Sequence, residues 1–121
     1  MSLRQPVMSR RVKLGTTPSV SVVVASTAEL SALELWLVGV EQQCSANNVQ
    51  LIVIRGAEDG LAELLEKFPA VVFAATDAST GNHVLRSVGV SLASGDIIAI
   101  TDDAHTPPSD WVATLTRRRL S

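Results

Sequence analysis

The chain has 121 residues, 46% of them hydrophobic, which predicts one domain with a real core. Aromatics make up only 3%, with no Tyr, so that core must be built from aliphatic side chains and Ala. The net charge of −2 hides an asymmetry: residues 14–116 hold twelve acids and three bases, a balance of −9, which excludes the usual basic nucleic-acid surface.

Residues 1–17 are polar, basic and without periodicity, and read as a mobile tail. One α/β domain is expected over residues 18–121. Val20-Ser21-Val22-Val23-Val24 is a β-branched strand bounded by Pro18. Ser26 and Glu29 have capping-box spacing, which predicts a helix opening there. Leu30, Leu33, Leu37 and Val40 recur at helical spacing as its buried face, and the helix should end near Cys44-Ser45. Asn47-Asn48 reads as loop. Leu51–Ile54 is a second strand, broken by Arg55-Gly56.

Leu61, Leu64 and Leu65 mark a short helix ending before Pro69. Residues 70–74 form a third strand, and 77–81 a loop. Val84, Leu85, Val88 and Leu92 mark a third helix, stopped by Gly95. Ile97-Ile98-Ala99-Ile100 is an apolar run of the kind buried on both faces of a parallel sheet. It runs straight into Asp102 and Asp103, at the strand end where open α/β sheets place their ligand crevice. Thr106-Pro107 reads as an N-cap and first helical position, and Trp111 and Leu115 should face the core. Strands alternate with helix-length segments, which predicts a three-layer α/β/α fold around a mainly parallel sheet.

Lone Cys44 rules out an internal disulfide framework and a Cys-based metal site, and reads as a semi-buried helix-end residue. His83 and His105 have no third ligand at metal spacing and read as exposed. No apolar run approaches the roughly 18–20 residues of a membrane span, and the N-terminus has no signal-peptide core, so the expected location is cytoplasmic. The Arg-rich tails could make weak contact with a membrane surface, although solvated ends are the plainer reading. Taken alone, Asp102 and Asp103 fit either a ligand site or a solvated turn capping the next helix. Arg86 fits either an anion contact or a surface residue paired with Asp77 or Asp96.

The segment from Pro18 to Trp111 resembles the N-terminal half of family 2 glycosyltransferases, which have the GT-A fold. The resemblance is carried by residues 20–24 as the opening strand, and by Gly81-Asn82-His83-Val84-Leu85-Arg86-Ser87-Val88-Gly89, similar to the family's Gly-then-Arg-Asn-x-Gly helix. It is carried also by Ala93-Ser94-Gly95-Asp96, similar to its Ala-x-Gly-Asp strand start, and by Thr101-Asp102-Asp103 with Pro107, Asp110 and Trp111, similar to its acidic metal motif. The resemblance implies a nucleotide-sugar donor site in which Asp103 and Asp102 hold Mn²⁺ or Mg²⁺. Ser26, Arg86 and Asp102 would then contact the nucleotide sugar.

The departures from the pattern are Ala104 for a third acid, Ile54 and Arg55 where acids are expected, residues 25–28 after the first strand, and Ser87 for Asn. The family's acceptor half and catalytic base have no counterpart in these residues, so no catalytic residue is assigned. The alternative is a non-catalytic descendant serving as a binding or assembly module. A phosphoacceptor-type signalling domain fits less well, because its acids should follow an early strand. An uncovered sheet edge predicts a homo-oligomer that covers the Val20–Val24 or Ile97–Ile100 surface.

Overall fold

The computed structural model describes residues 20–57, 60–77, 79–104 and 107–120. The basic tail, His105 and Thr106 lie outside the described residues. The elements run β1 (Val20–Ser26), α1 (Leu30–Ala46), β2 (Gln50–Arg55), α2 (Leu61–Lys67), β3 (Val72–Ala75), α3 (Asn82–Leu92), β4 (Ile97–Asp102) and α4 (Trp111–Leu120). The strands form one all-parallel sheet in the order β3-β2-β1-β4. This is a three-layer α/β/α arrangement, as the alternation of elements predicts. No helix is long and apolar enough to cross a membrane among the described residues.

The chain steps outward from β1 to β2 to β3, then crosses back to lay β4 on the other side of β1. A right-handed crossover running in the opposite direction must place its helix on the opposite face. The two cores obey this rule. Leu33, Trp36, Leu37 and Val40 of α1, Leu64 of α2 and Val112 of α4 pack on Val20, Val22, Val24, Leu51, Val53 and Phe73. Leu85 of α3 packs on Val23, Ala25, Ile52, Ile54, Val72 and Ala74 across the sheet. Alternate residues of β1 and β2 therefore serve opposite cores, and a continuous apolar strand becomes necessary. Gly89 lets α3 come close, since a methyl group there would collide with the Val23 side chain.

Three expectations about the elements need correction. Ser26 does not cap α1; it is the last residue of β1, and Glu29 stands at the N-cap with no side-chain hydrogen bond. The Ser26 hydroxyl is drawn instead to partners across the strand ends. Arg55 does not break β2 but ends it, buried, in register with Ser26. β4 is not buried on both faces, because it is the edge of the described sheet and each of its positions is exposed or half-buried. β1, by contrast, lies between two strands and is buried throughout, so it offers no surface to another copy.

The far end of β4 is fixed by a buried polar cluster. Ser21 Oγ donates to Gln50 Oε1 at 2.6 Å and accepts from the Gly95 amide at 2.9 Å. The Ser94 amide and hydroxyl also donate to Gln50 Oε1, at 2.8 and 3.1 Å. The side chain of Gln50 thus joins β1, β2 and the α3–β4 loop. Gly95 is required by close approach, because a methyl group there would sit 2.8 Å from the Ser21 nitrogen and the Val20 carbonyl carbon.

α4 is held by a second glutamine. The Val112 amide donates to Gln43 Oε1 at 2.9 Å, and Gln43 Nε2 donates to the Pro108 carbonyl at 3.0 Å. Gln43 of α1 thereby supplies one of the acceptors that the first turn of α4 lacks. Trp111 and Leu115 are half-buried against the core as expected, while Val112 between them is fully buried.

Cys44 stands at the helix end, in the last turn of α1, as expected, but it is buried in the core rather than semi-buried. Burial, reinforced by the Glu41 carboxylate, pushes its thiol up from 9.0 to about 12. The folded state therefore binds the thiol proton more tightly than the unfolded chain does. The resulting stabilisation is complete below pH 9.0 and is lost as pH rises toward about 12. Iodoacetamide at pH 8 should label Cys44 at least ten times more slowly in the native protein than in urea, about 1.4 kcal/mol in rate terms. Mass spectrometry reads this directly.

Gly95→Ala should cost about 1–3 kcal/mol by overpacking. The check is a urea midpoint that falls while the slope of the transition holds.

Candidate functional site

β1 and β4 run side by side, but their flanking crossovers leave in opposite directions. This is the topological switch point of the sheet, the place where open α/β sheets put their ligand crevice. β1 brings Ser26 there, β2 brings Arg55 beside it, and the end of β4 brings Asp102 and Asp103.

Ser26 is fully buried, and its hydroxyl donates to Asp103 Oδ2 at 2.6 Å. The same oxygen accepts from Arg55 Nη1 at 3.2 Å. Arg55 Nη1 also donates to the Ala28 carbonyl at 2.7 Å, tying down the β1–α1 loop. Arg55 is only 3% exposed. A guanidinium so buried is costly unless its protons meet acceptors, and these two bonds answer part of that requirement. The Ser26 hydroxyl stands between a cation and an anion, accepting from one and donating to the other. Both bonds are charge-assisted, a stronger class than neutral ones.

Asp102 ends β4 and is exposed, and its Oδ1 accepts from the Ala104 amide at 3.0 Å. That bond turns the chain after the strand in an Asx-type turn. Asp103, half-buried, faces Ser26. The adjacent acids thus differ in setting, one toward solvent and one toward the buried hydroxyl. Among the described residues, Asp102 Oδ2 and Asp103 Oδ1 take no part in these bonds.

Arg86 lies on α3, across the sheet from α1 and α4, and is exposed. It follows Leu85, whose Cδ1 comes within reach of Gly56 just past β2, so it belongs to the carboxyl end of the sheet. Of the expected site residues, Ser26 and Asp103 are joined directly, Asp102 is their neighbour, and Arg86 stands apart on another layer. His83 is exposed on α3. Among the described residues no group of three or more His, Cys, Asp or Glu gathers to hold a metal ion.

Arg55 is the central residue, which the sequence marks as a strand breaker and as a departure from the acids expected after the second strand. The available signal was an arginine directly following four apolar residues of an internal strand, where a long cationic side chain must find acceptors as it leaves the core. Beyond β3, Asp77 Oδ1 accepts from the Ser79 hydroxyl at 2.6 Å, the Ser79 amide at 3.2 Å and the Thr80 hydroxyl at 3.3 Å. These bonds, Ser79's hydroxyl first, hold the Asp77 carboxyl below its usual range and shape the loop that leads into α3.

No model of a known protein family matches this chain, and no well-described protein matches it.

Ser26→Ala should remove both charge-assisted bonds at once. The expected loss is about 1–3 kcal/mol of unfolding free energy. A thermal melt should show it, and Ser26→Thr should recover most of it if the hydroxyl is what matters.

Proposed function

We propose that this chain is a glycosyltransferase-like domain of the GT-A type that binds a nucleotide-diphosphate sugar through a divalent cation. The observation that carries the reading is the bond between Ser26 and Asp103. It places an acid pair at the sheet's switch point, with one carboxylate oriented and the other open to solvent.

The donor set suits the cation it would hold. Mg²⁺ and Mn²⁺ favour oxygen ligands, and Mg²⁺ in nucleotide sites commonly takes one or two carboxylates, with the rest from phosphates and water. Asp103 and Asp102 suit that share, whereas a closed, all-protein cage would need more ligands than gather among the described residues. Bound there, the cation would neutralise charge on the departing nucleoside diphosphate. The chain's own part is positioning. Ser26 fixes the Asp103 carboxylate, Arg55 fixes Ser26 and the following loop, and the Asp102 turn presents its second oxygen outward. Arg86 lies at the same end of the sheet, as a longer-range attraction for phosphate. Transfer of a hexosyl group also needs a base at the acceptor hydroxyl, and no residue is assigned to that role.

A second reading is favoured by Arg55. An arginine occupies the β2 end where the resemblance expects acids for the nucleoside, and it is committed to Ser26 and Ala28. On this reading the fold is retained as a binding or assembly module.

Isothermal calorimetry of UDP, GDP and dTDP, each with and without Mn²⁺, separates the two. The donor-site reading expects Mn²⁺-dependent binding of at least one nucleotide, weakened at least tenfold, about 1.4 kcal/mol, in Asp103→Ala. Heats absent for all three nucleotides would overturn it in favour of the module.

A further inference from the structure

We propose that the exposed face of α1 packs, antiparallel, on the same face of a second copy of this chain and so forms a two-fold dimer. The inference stands independently of nucleotide binding.

α1 lies in an outer layer, yet none of its exposed positions carries a charged residue. Ser31, Leu35, Val38, Gln42 and Ser45 follow one another at alternating spacings of four and three, the heptad period of a helix–helix seam. Ala32, Gly39 and Ala46 run beside that seam at every seventh position. Leu35 is 78% exposed and Val38 54%, the two largest exposures among the large hydrophobic residues described. A surface helix normally turns charged and polar residues to water. The other helices do so: Glu63, Glu66 and Lys67 are exposed on α2, Arg86 on α3 and Arg117 on α4.

The missing charges choose the occupant. A charged face would lose hydration against this seam without meeting a counter-charge. An uncharged face of equal length is needed, and among the described helices only α1 offers one. Identical faces pair about a two-fold axis. α1 runs from Leu30 to Ala46, so its middle lies at Val38 and Gly39. Antiparallel pairing about that middle sets Val38 against Gly39 of the second copy, Leu35 against Gln42, and Ala32 against Ser45. A parallel pairing would set Val38 on Val38 and leave Gly39 facing Gly39. A methyl group built on Gly39 would meet nothing within 4 Å, so the space above it is open to an incoming side chain. Glu34, on the flank of the seam, is 3.1 Å from Lys67 Nζ, and the antiparallel pairing brings Glu41 of the second copy toward that same ammonium. α1 spans about 25 Å, so the contact is small and the dimer weak and concentration-dependent.

The test follows the whole chain by light scattering and sedimentation as concentration is raised, with dimer growing in toward the millimolar range. Leu35→Glu and Val38→Glu should each weaken self-association roughly tenfold or more. Val90→Glu, the same kind of change on α3 across the sheet, should leave it unaltered. Circular dichroism reports the fold, and Gln42→Glu replaces either α1 variant that unfolds. Mild oxidation should link Val38→Cys into a disulfide dimer near the axis. Ser31→Cys should stay unlinked, since the antiparallel pair holds the two copies of residue 31 about 22 Å apart. A chain that remains monomeric at millimolar concentration would overturn the proposal. So would a dimer indifferent to the α1 variants, one that Val90→Glu weakens equally, or one that cross-links through Ser31→Cys instead.

Discussion

The structure depends on β1 being buried from end to end between two parallel neighbours. A strand so placed can carry polar atoms only where both neighbours help to satisfy them. It has two, and they stand near its ends. Ser21 is answered by Gln50 and Gly95, and Ser26 by Arg55 and Asp103. Between them lie Val22, Val23, Val24 and Ala25, divided between two cores. The hydroxyl at the amino end locates β4 along the sheet, and the one at the carboxyl end orients its acid. A hydroxyl suits both places because it is small and can donate and accept at once.

The chemistry at the carboxyl end follows from that economy. The Ser26 oxygen links Arg55 to Asp103, accepting from one and donating to the other. A direct buried pair would spend the carboxylate's acceptors on the guanidinium. The arrangement through Ser26 engages one oxygen of Asp103 and leaves the other outside that bond. Arg55 is thereby a scaffold cation, committed to the loop and the hydroxyl, while Asp102 and Asp103 are the groups a ligand could meet. Gln43 performs a comparable service behind them, since by capping α4 it holds the chain that follows the acids against α1.

The alternation of elements, the parallel sheet and the principal core residues were legible because each rests on local pattern. Leu33, Leu37 and Val40 repeat at helical spacing, and the strand runs are β-branched. What escaped was set by partners distant in sequence. Ser26-x-x-Glu29 has the letters of a capping box, yet a carboxylate from the far end of the chain is the better acceptor for that hydroxyl. The apolar run of β4 has the composition of a central strand, but its place at an edge is a property of topology. Trp36 and Cys44 complete the buried face of α1, and Trp36 went unread because Leu33, Leu37 and Val40 already made a sufficient stripe. At the site, the acid pair and Ser26 could be singled out from sequence, but the bond between them could not. Arg55 was visible as an interruption and as a departure from the expected acids, not as a buried hub.

The bonds that locate β4 have a kinetic consequence. Ser26 and Asp103 are separated by 77 positions, and Gly95 and Ser21 by 74. Contacts that distant in sequence are slow to form, although closing a longer loop adds little to the equilibrium cost. Hairpin-like shortcuts do not exist in an all-parallel sheet, so β4 has no local partner to wait beside. Part of its receptor also requires β1 and β2 to be aligned, because Gly95 bonds Ser21 of β1 while Ser94 bonds Gln50 of β2. The acid pair is therefore carried by the strand whose partners are most distant in sequence, and a chain emerging in order from its synthesis can present β1, β2 and β3, with Ser26 and Arg55, before Asp102 and Asp103 exist to meet them.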